Sequence, residues 1–182
     1  MPTGDIKPSG RRQWLQRLQA AAFDLPIIVG WAVFSGVVGG VLRLLDLDFE
    51  TAAAWDLYAF ASLVLPVVLT FALLEASPRR ATPGKRRLGL VVVNPDGGRL
   101  TRSRSLARSV VKFTPWQMAH TAVFHLVAGS TAVGYVVLSI AAQGLVLASI
   151  VTMAFDSRHR SLHDLIAGTR VVADETGSPS RG

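Results

Sequence analysis

Three stretches of this sequence carry no Asp, Glu, Lys or Arg, and they restrict the fold more than any other feature. Leu25 to Leu42 and Leu57 to Leu74 are each 18 residues long, and Phe113 to Phe155 is 43. A helix rises about 1.5 Å per residue, so 18 residues cover most of a hydrocarbon core roughly 30 Å thick. Inside lipid, every backbone N–H and C=O must be satisfied within the chain, which long apolar runs achieve as helices. The expectation is an all-α integral membrane protein. The third run is about twice the length of one crossing. The small residues Ala128, Gly129, Ser130, Thr131, Ala132, Val133 and Gly134 offer a place to turn, so this run is read as two helices. The alternative is one long tilted helix after an interfacial segment, because Pro115, Gln117, His120 and His125 lower the apolar character of the first half.

Charge asymmetry sets the orientation. Ahead of the first run stand Lys7, Arg11, Arg12 and Arg17 against Asp5, whereas the loop after it carries Arg43 against Asp46, Asp48, Glu50 and Asp56. Basic segments stay in the cytoplasm, which puts the N-terminus inside. Residues 75–112 hold ten Lys or Arg against Glu75 and Asp96, and Arg158, Arg160 and Arg170 follow the last run. Both segments return to the cytoplasm only if the number of spans is even. The fold expected is therefore a bundle of four transmembrane helices in the plasma (inner) membrane, with both termini cytoplasmic. The spans fall at about 24–44, 57–75, 108–128 and 134–155, and a cytoplasmic loop runs over 76–107. The first run is too long for a cleaved leader, and its small residues precede it, so it is expected to be retained.

Residues 1–10 and 174–182 are rich in Gly, Pro and polar side chains and are read as disordered tails around a membrane domain at 11–173. Helix one is expected to begin near Arg11 and lie at the interface before it dives. In the loop, Leu88 to Val93, the turn Asn94-Pro95-Asp96-Gly97-Gly98 and Arg99 to Thr101 read as a small cytoplasmic β-hairpin. Gly36 and Gly40 have the small-xxx-small spacing that permits close approach of helices.

The net charge of +7 beside membrane spans reads as a topology signal and as attraction to anionic lipid headgroups, with no nucleic acid called for. Cysteine is absent, which excludes disulfides, thiolate chemistry and Cys-based metal sites. No phosphate loop, dinucleotide fingerprint, zinc motif or nucleophile elbow occurs. Gly84-Lys85 lacks the earlier glycine and the following Ser or Thr of a phosphate loop. The chain is read as no enzyme, with no cofactor and no metal.

Several polar residues demand an account. Arg17 and Asp24 are two helical turns apart on one face, about 10 Å along the axis. A lone ionised Asp24 at the hydrocarbon edge costs several kcal/mol, about what an isolated buried charge costs, so Asp24 is expected to be protonated, hydrated or paired with a cation from another helix. Arg108, entering the third span from the same side, is the candidate. Such a pair either locks two helices together or serves function, and both readings stand. His120, His125 and Gln143 are intramembrane polar candidates, although the histidines point about 140° apart and are not expected to share a metal. Asp164, the one acid in the basic stretch from Arg158 to Arg170, is either a surface pair or cap or a partner for Arg17 across the bundle.

These elements converge on a resemblance. Arg17 with Asp24, Thr82-Pro83-Gly84-Lys85 with Gly89-Leu90-Val91-Val92 and the Asp96-Gly97-Gly98 turn, and Leu162-His163-Asp164-Leu165-Ile166-Ala167-Gly168-Thr169-Arg170-Val171-Val172 together resemble the RDD family of membrane proteins, over roughly residues 12–173. The family is named for an arginine and two aspartates. The resemblance implies that Arg17, Asp24 and Asp164 are those residues and that Arg108 matches an arginine found before the third span. It implies transport of an unidentified ligand, with cation/proton antiport among the activities. The polar cluster read from all this is Arg17, Asp24, Arg108, His163 and Asp164, with Lys85, His120, His125 and Gln143 as secondary candidates. Four helices enclose little volume, so a transporter is expected to act as a homo-oligomer. The competing expectation is a non-catalytic accessory subunit or assembly factor of a larger membrane complex.

Overall fold

The structure, a computed structural model, describes residues 13–47 and 49–174. The tail at 1–10 and all but Asp174 of the tail at 174–182 lie outside the described residues. Helix α1 (Gln13–Leu44) is followed by a helical unit, Ala52–Ala76, built from α2 (Ala52–Ala59), a π-helical turn (Phe60–Val64) and α3 (Leu65–Ala76). Then come a short α4 (Pro83–Arg87), strand β1 (Leu90–Val93), α5 (Arg102–Val127), α6 (Val133–Phe155), a short α7 (Leu162–Ala167) and strand β2 (Arg170–Ala173).

The π turn has a local cause. Pro66 brings no N–H to the helix and its ring crowds the carbonyl four residues back, which belongs to Ser62, inside the π turn. A wider turn relieves that clash. Here the Ser62 hydroxyl donates to the Tyr58 carbonyl at 2.7 Å and lies 2.7 Å from the Ser35 hydroxyl, tying the turn to α1.

Three helices are long and apolar enough to cross a membrane: α1, the Ala52–Ala76 unit and α6. Their apolar side chains face outward, as in a bilayer: Val33 and Val37 of α1 and Ile140 and Leu147 of α6 are among the exposed residues. The third uncharged run does hold two helices, α5 and α6, which meet at residues 128–132 and pack on each other. Helix α5 is 26 residues long, but Arg102, Arg104, Arg108 and Lys112 make its first half basic. It occupies the middle of the molecule, against α2, α3, α6 and α7. Its small Ser105 and Ser109 are fully buried, and Ser105 donates to the Ala72 carbonyl at 2.7 Å, so α5 lies close to α3. An apolar core of Leu63, Val64, Val67, Val68, Phe71 and Phe113 fills this contact.

One sequence expectation is corrected around the short strands. Strand β1 does not pair with residues 99–101 to make a hairpin. Its partner is β2, antiparallel, with Val91 opposite Val172 and Val92 opposite Val171. The turn is present, closed by Gly97 N–H to the Asn94 carbonyl at 2.9 Å, but Thr101 already caps α5 and leaves too little chain for a returning strand. The β-branched Val171-Val172 supplies the ladder instead. The start of α1 packs against this sheet. Gln13, Arg17, Ala20 and Asp24 form one buried stripe at spacings of four, three and four. Ala20 packs with Leu90, Val92, Leu100 and Val171, and the Gln13 amide donates to the Val171 carbonyl at 2.9 Å. At roughly 48 Å, α1 is longer than a bilayer core, and the excess is the part that buries itself against the sheet.

Candidate functional site: a buried ion-pair chain under a cavity

At one end of the bundle, five charged side chains from five helices join in one chain of contacts. The Arg17 guanidinium of α1 meets one oxygen of Asp164 on α7, and Arg108 of α5 donates to the other from Nη2 at 2.8 Å and from Nε at 3.0 Å. Arg108 Nη1 turns to Glu75 on α3, whose second oxygen accepts from Lys85 Nζ of α4 at 2.7 Å. All five are buried, with Asp164 and Glu75 at 0% and Arg108 at 1% exposure. Charges so far from water persist only when paired and hydrogen-bonded, which this chain provides.

Local sequence places each member. Asp164 stands at the third position of α7, where its carboxylate accepts from the Ser161 backbone N–H at 3.1 Å and hydroxyl at 2.7 Å, a capping box. Gly168 ends α7 with φ +61°, a left-handed cap that turns the chain so that the Thr169 hydroxyl also reaches Asp164, at 3.2 Å. Burial by itself would raise the Asp164 carboxyl, but Arg108 and Arg17 outweigh it and hold the group well below the usual carboxylate range. Half-buried His163, with its Nε2 2.9 Å from the Ser161 hydroxyl, is pushed well below the usual imidazole value by burial and by Arg108, against the pull of Asp164.

Asp24 does not pair with Arg108, contrary to the sequence expectation. Its carboxylate accepts from the Thr82 hydroxyl at 2.5 Å and from the Gly84 N–H at 2.7 Å. The reason is that Thr82-Pro83-Gly84 opens α4 with free donors directly above α1, while Arg108 is already shared between two acids. Gly84 is required there, since a Cβ would overlap the Ala20 carbonyl and the Asp24 carboxylate.

The remaining candidates lie elsewhere. His120 sits half-buried with Nδ1 3.0 Å from the Trp116 carbonyl, and His125 stacks on Tyr135 with ring centroids 4.3 Å apart. Gln143 is on the exposed face of α6. Among the described residues no group of three His, Asp or Glu is placed to hold a metal. Sequence reasoning passed over Glu75, the hinge of the ion-pair chain. Its signal was its position, one residue beyond the uncharged run Leu57 to Leu74 and one of only two acids facing ten basic residues. It also passed over Asp56, which accepts from the Gln117 amide at 2.9 Å and the Thr121 hydroxyl at 2.8 Å near the opposite end of the bundle.

Above the ion-pair chain a cavity of about 510 Å³ opens between α1, α5, α6 and α7. Its floor is formed by Arg17, Asp24, Lys85, Arg108, Lys112 and His163, and its walls by apolar side chains such as Val111, Leu145, Val146, Ile150 and Met153. Lys112 has no ion pair among the described residues; its ammonium lies 4.1 Å from the centroid of the Phe71 ring and 5.0 Å from that of Phe113.

No curated protein and no solved structure matches the chain. The family model described as RDD family matches residues 11–168, most of the chain, and that stretch holds α1 from its first turn, the ion-pair chain with all five of its charges, and Gly168 at the end of α7. With three helices long and apolar enough to cross a membrane and this buried cluster among its helices, the protein belongs to the RDD family of membrane proteins.

Proposed function

We propose that the chain crosses the plasma membrane four times, with both termini cytoplasmic, and takes a small ligand of negative charge into the cavity between α1, α5, α6 and α7 as a step in its transport. Support for a fourth span is that α5 runs beside α6 and α3 through the centre of the bundle, and that an even count returns every basic segment to the cytoplasm. The observation that carries the ligand's charge is Lys112, a cation on the cavity floor with no ion pair among the described residues. The acids nearby are committed: Asp164 to two arginines, Glu75 to Arg108 and Lys85, Asp24 to α4. A metal cation exchanging with protons would have to displace a guanidinium or an ammonium from one of them, which disfavours cation/proton antiport at this cluster.

Thermal unfolding of the full chain in mild detergent tests the reading, with inorganic phosphate or hexanoate added at constant ionic strength against Na⁺ or K⁺. An anion that binds the folded state at a hundred times its Kd stabilises by about 2.7 kcal/mol. Stabilisation by an anion that disappears in Lys112→Gln supports the proposal. Stabilisation by Na⁺ or K⁺ that survives Lys112→Gln overturns it in favour of cation exchange.

A different observation favours association with another helix, from a second copy or from a larger complex. The outer face of α1 exposes Val33 and Val37, and Gly36 and Gly40 beside them meet open space, a surface that admits close helix packing. Gly36→Leu keeps the fold and disrupts this association, which cross-linking in native membranes reads directly.

A further inference from the structure

We infer that the occupant of the cavity is an anionic phospholipid drawn from the cytoplasmic leaflet, its acyl chain along α6 and its headgroup phosphate beside Lys112. This inference rests on the proposed anionic-ligand reading and names the ligand. Three observations carry it. The cavity has two kinds of wall: a basic floor and an apolar side made by Val111, Leu145, Val146, Ile150 and Met153. A soluble anion uses only the floor and leaves the side dry or badly hydrated, whereas an amphiphile satisfies both. The apolar side also faces outward. Val146 and Ile150 line the cavity and are 48% and 40% exposed on the face α6 turns to lipid, so an acyl chain enters sideways without crossing water.

Charge and depth agree. The five-residue ion-pair chain has three cations and two acids, and Asp24 supplies the negative charge that balances it. Lys112 is then the cation lining the cavity that enters no ion pair among the described residues. It lies ten residues beyond Arg102, the first residue of α5, and roughly 15 Å along the helix axis, near the boundary between headgroups and acyl chains in the four-span arrangement. The rings of Phe71 and Phe113 hold the ammonium from within the bundle, and Lys112 itself lines the cavity, so a phosphate on the cavity side completes its surroundings.

The test is native mass spectrometry of the full chain after equilibration with mixed micelles containing equal amounts of phosphatidylglycerol and phosphatidylcholine of the same acyl composition. The wild type is expected to retain one phosphatidylglycerol per chain in preference to phosphatidylcholine. One basic side chain near an anionic lipid surface corresponds to about a fivefold preference, so Lys112→Gln should lower the selectivity about fivefold while Lys112→Arg keeps it. Ser149→Trp, which fills the cavity from α6 and leaves the floor intact, should remove the retained lipid of both kinds. Equal retention of the two lipids by the wild type, or retention undiminished in Ser149→Trp, overturns the inference. If no lipid is retained while phosphate or hexanoate still stabilises the wild type, the ligand is soluble and only the lipid assignment falls. If neither occurs, the anionic-ligand reading falls with it.

Discussion

The two ends of the bundle are held together by different physics. At the basic end, α1, α3, α4, α5 and α7 are cross-linked by buried charges, with Arg108 alone bonded to Asp164, Thr169 and Glu75. Toward the other end, polar links among the described residues include Asp56 to Gln117 and Thr121, the Tyr58 hydroxyl to the Ser35 carbonyl, and the Ser35 and Ser62 hydroxyls. Phe49, Trp55 and Tyr58 form an edge-packed aromatic cluster there. Where lipid surrounds a helix, burying apolar surface gives little drive for association, so packing and a few hydrogen bonds must suffice. At the basic end, beside the two-stranded sheet, apolar packing and a fixed polar lattice can set the helix positions. The cavity lies between the two, lined by members of the ion-pair chain and by apolar side chains.

The sharpest way to break this contrast is at Arg108. Arg108→Met leaves both Asp164 and Glu75 short of a partner in a buried site, and losing one partner of a buried pair costs about 3–5 kcal/mol. Little folded protein should survive in a detergent thermal-unfolding assay, and a melting temperature near wild type would show that the lattice is not what holds this end. Arg108→Lys should fall between, because an ammonium cannot reproduce the forked contacts.

Asp24→Asn is the next test. It keeps an acceptor for the Gly84 N–H but loses the charge, and hydrogen bonds to a charged group contribute about 1.5–3 kcal/mol. Destabilisation in that range, rescued in part by Asp24→Glu, is expected from the same unfolding assay. At the opposite end, Asp56→Asn should cost only about 1 kcal/mol, since Asp56 is half-buried where Asp24 is fully buried, and an amide can bond to both Gln117 and Thr121. An Asp56 effect larger than that of Asp24 would reverse the comparison.

The smallest effect is in pH. Because the folded state holds His163 well below its ordinary value near 6.5, the unfolded chain binds this proton first as pH falls. The His163 contribution to stability is complete above about pH 6.5 and declines below it. His163→Asn should flatten the unfolding profile between pH 6.5 and 5. Asp164, held low in the fold, acts in a lower window: its contribution is present above about pH 4 and is lost as pH falls further. A profile unchanged by His163→Asn would mean that the imidazole is as accessible to protons folded as unfolded.

How much of this could be read from the chain differs between residues of similar chemistry. Arg17 and Asp24 could be placed on one face of a helix because helical periodicity is local. Asp164 could be singled out because it is the lone acid in a basic stretch. The partner of Asp24 could not be read, because carboxylates accept from any donor and the winning donors, Thr82 and the Gly84 N–H, are set by where α4 lands on α1. Strand β1 was legible from Val91-Val92-Val93, but its pairing with Val171-Val172 spans about eighty residues, and no local signal chooses it over the nearer segment.

Long uncharged runs, and the basic residues that flank them, determined by themselves that helices cross a membrane here, because lipid tolerates no unsatisfied backbone and the cost of charge there is steep and local. The family signature was likewise a property of the linear chain. Only tertiary structure decided that Glu75 would join Arg108 to Lys85, that the start of α1 would pack on a sheet, and that Lys112 would be left on a cavity floor without an ion pair among the described residues. Charge pairing and cavity shape depend on which side chains distant elements bring within a few ångströms, and that is settled by packing.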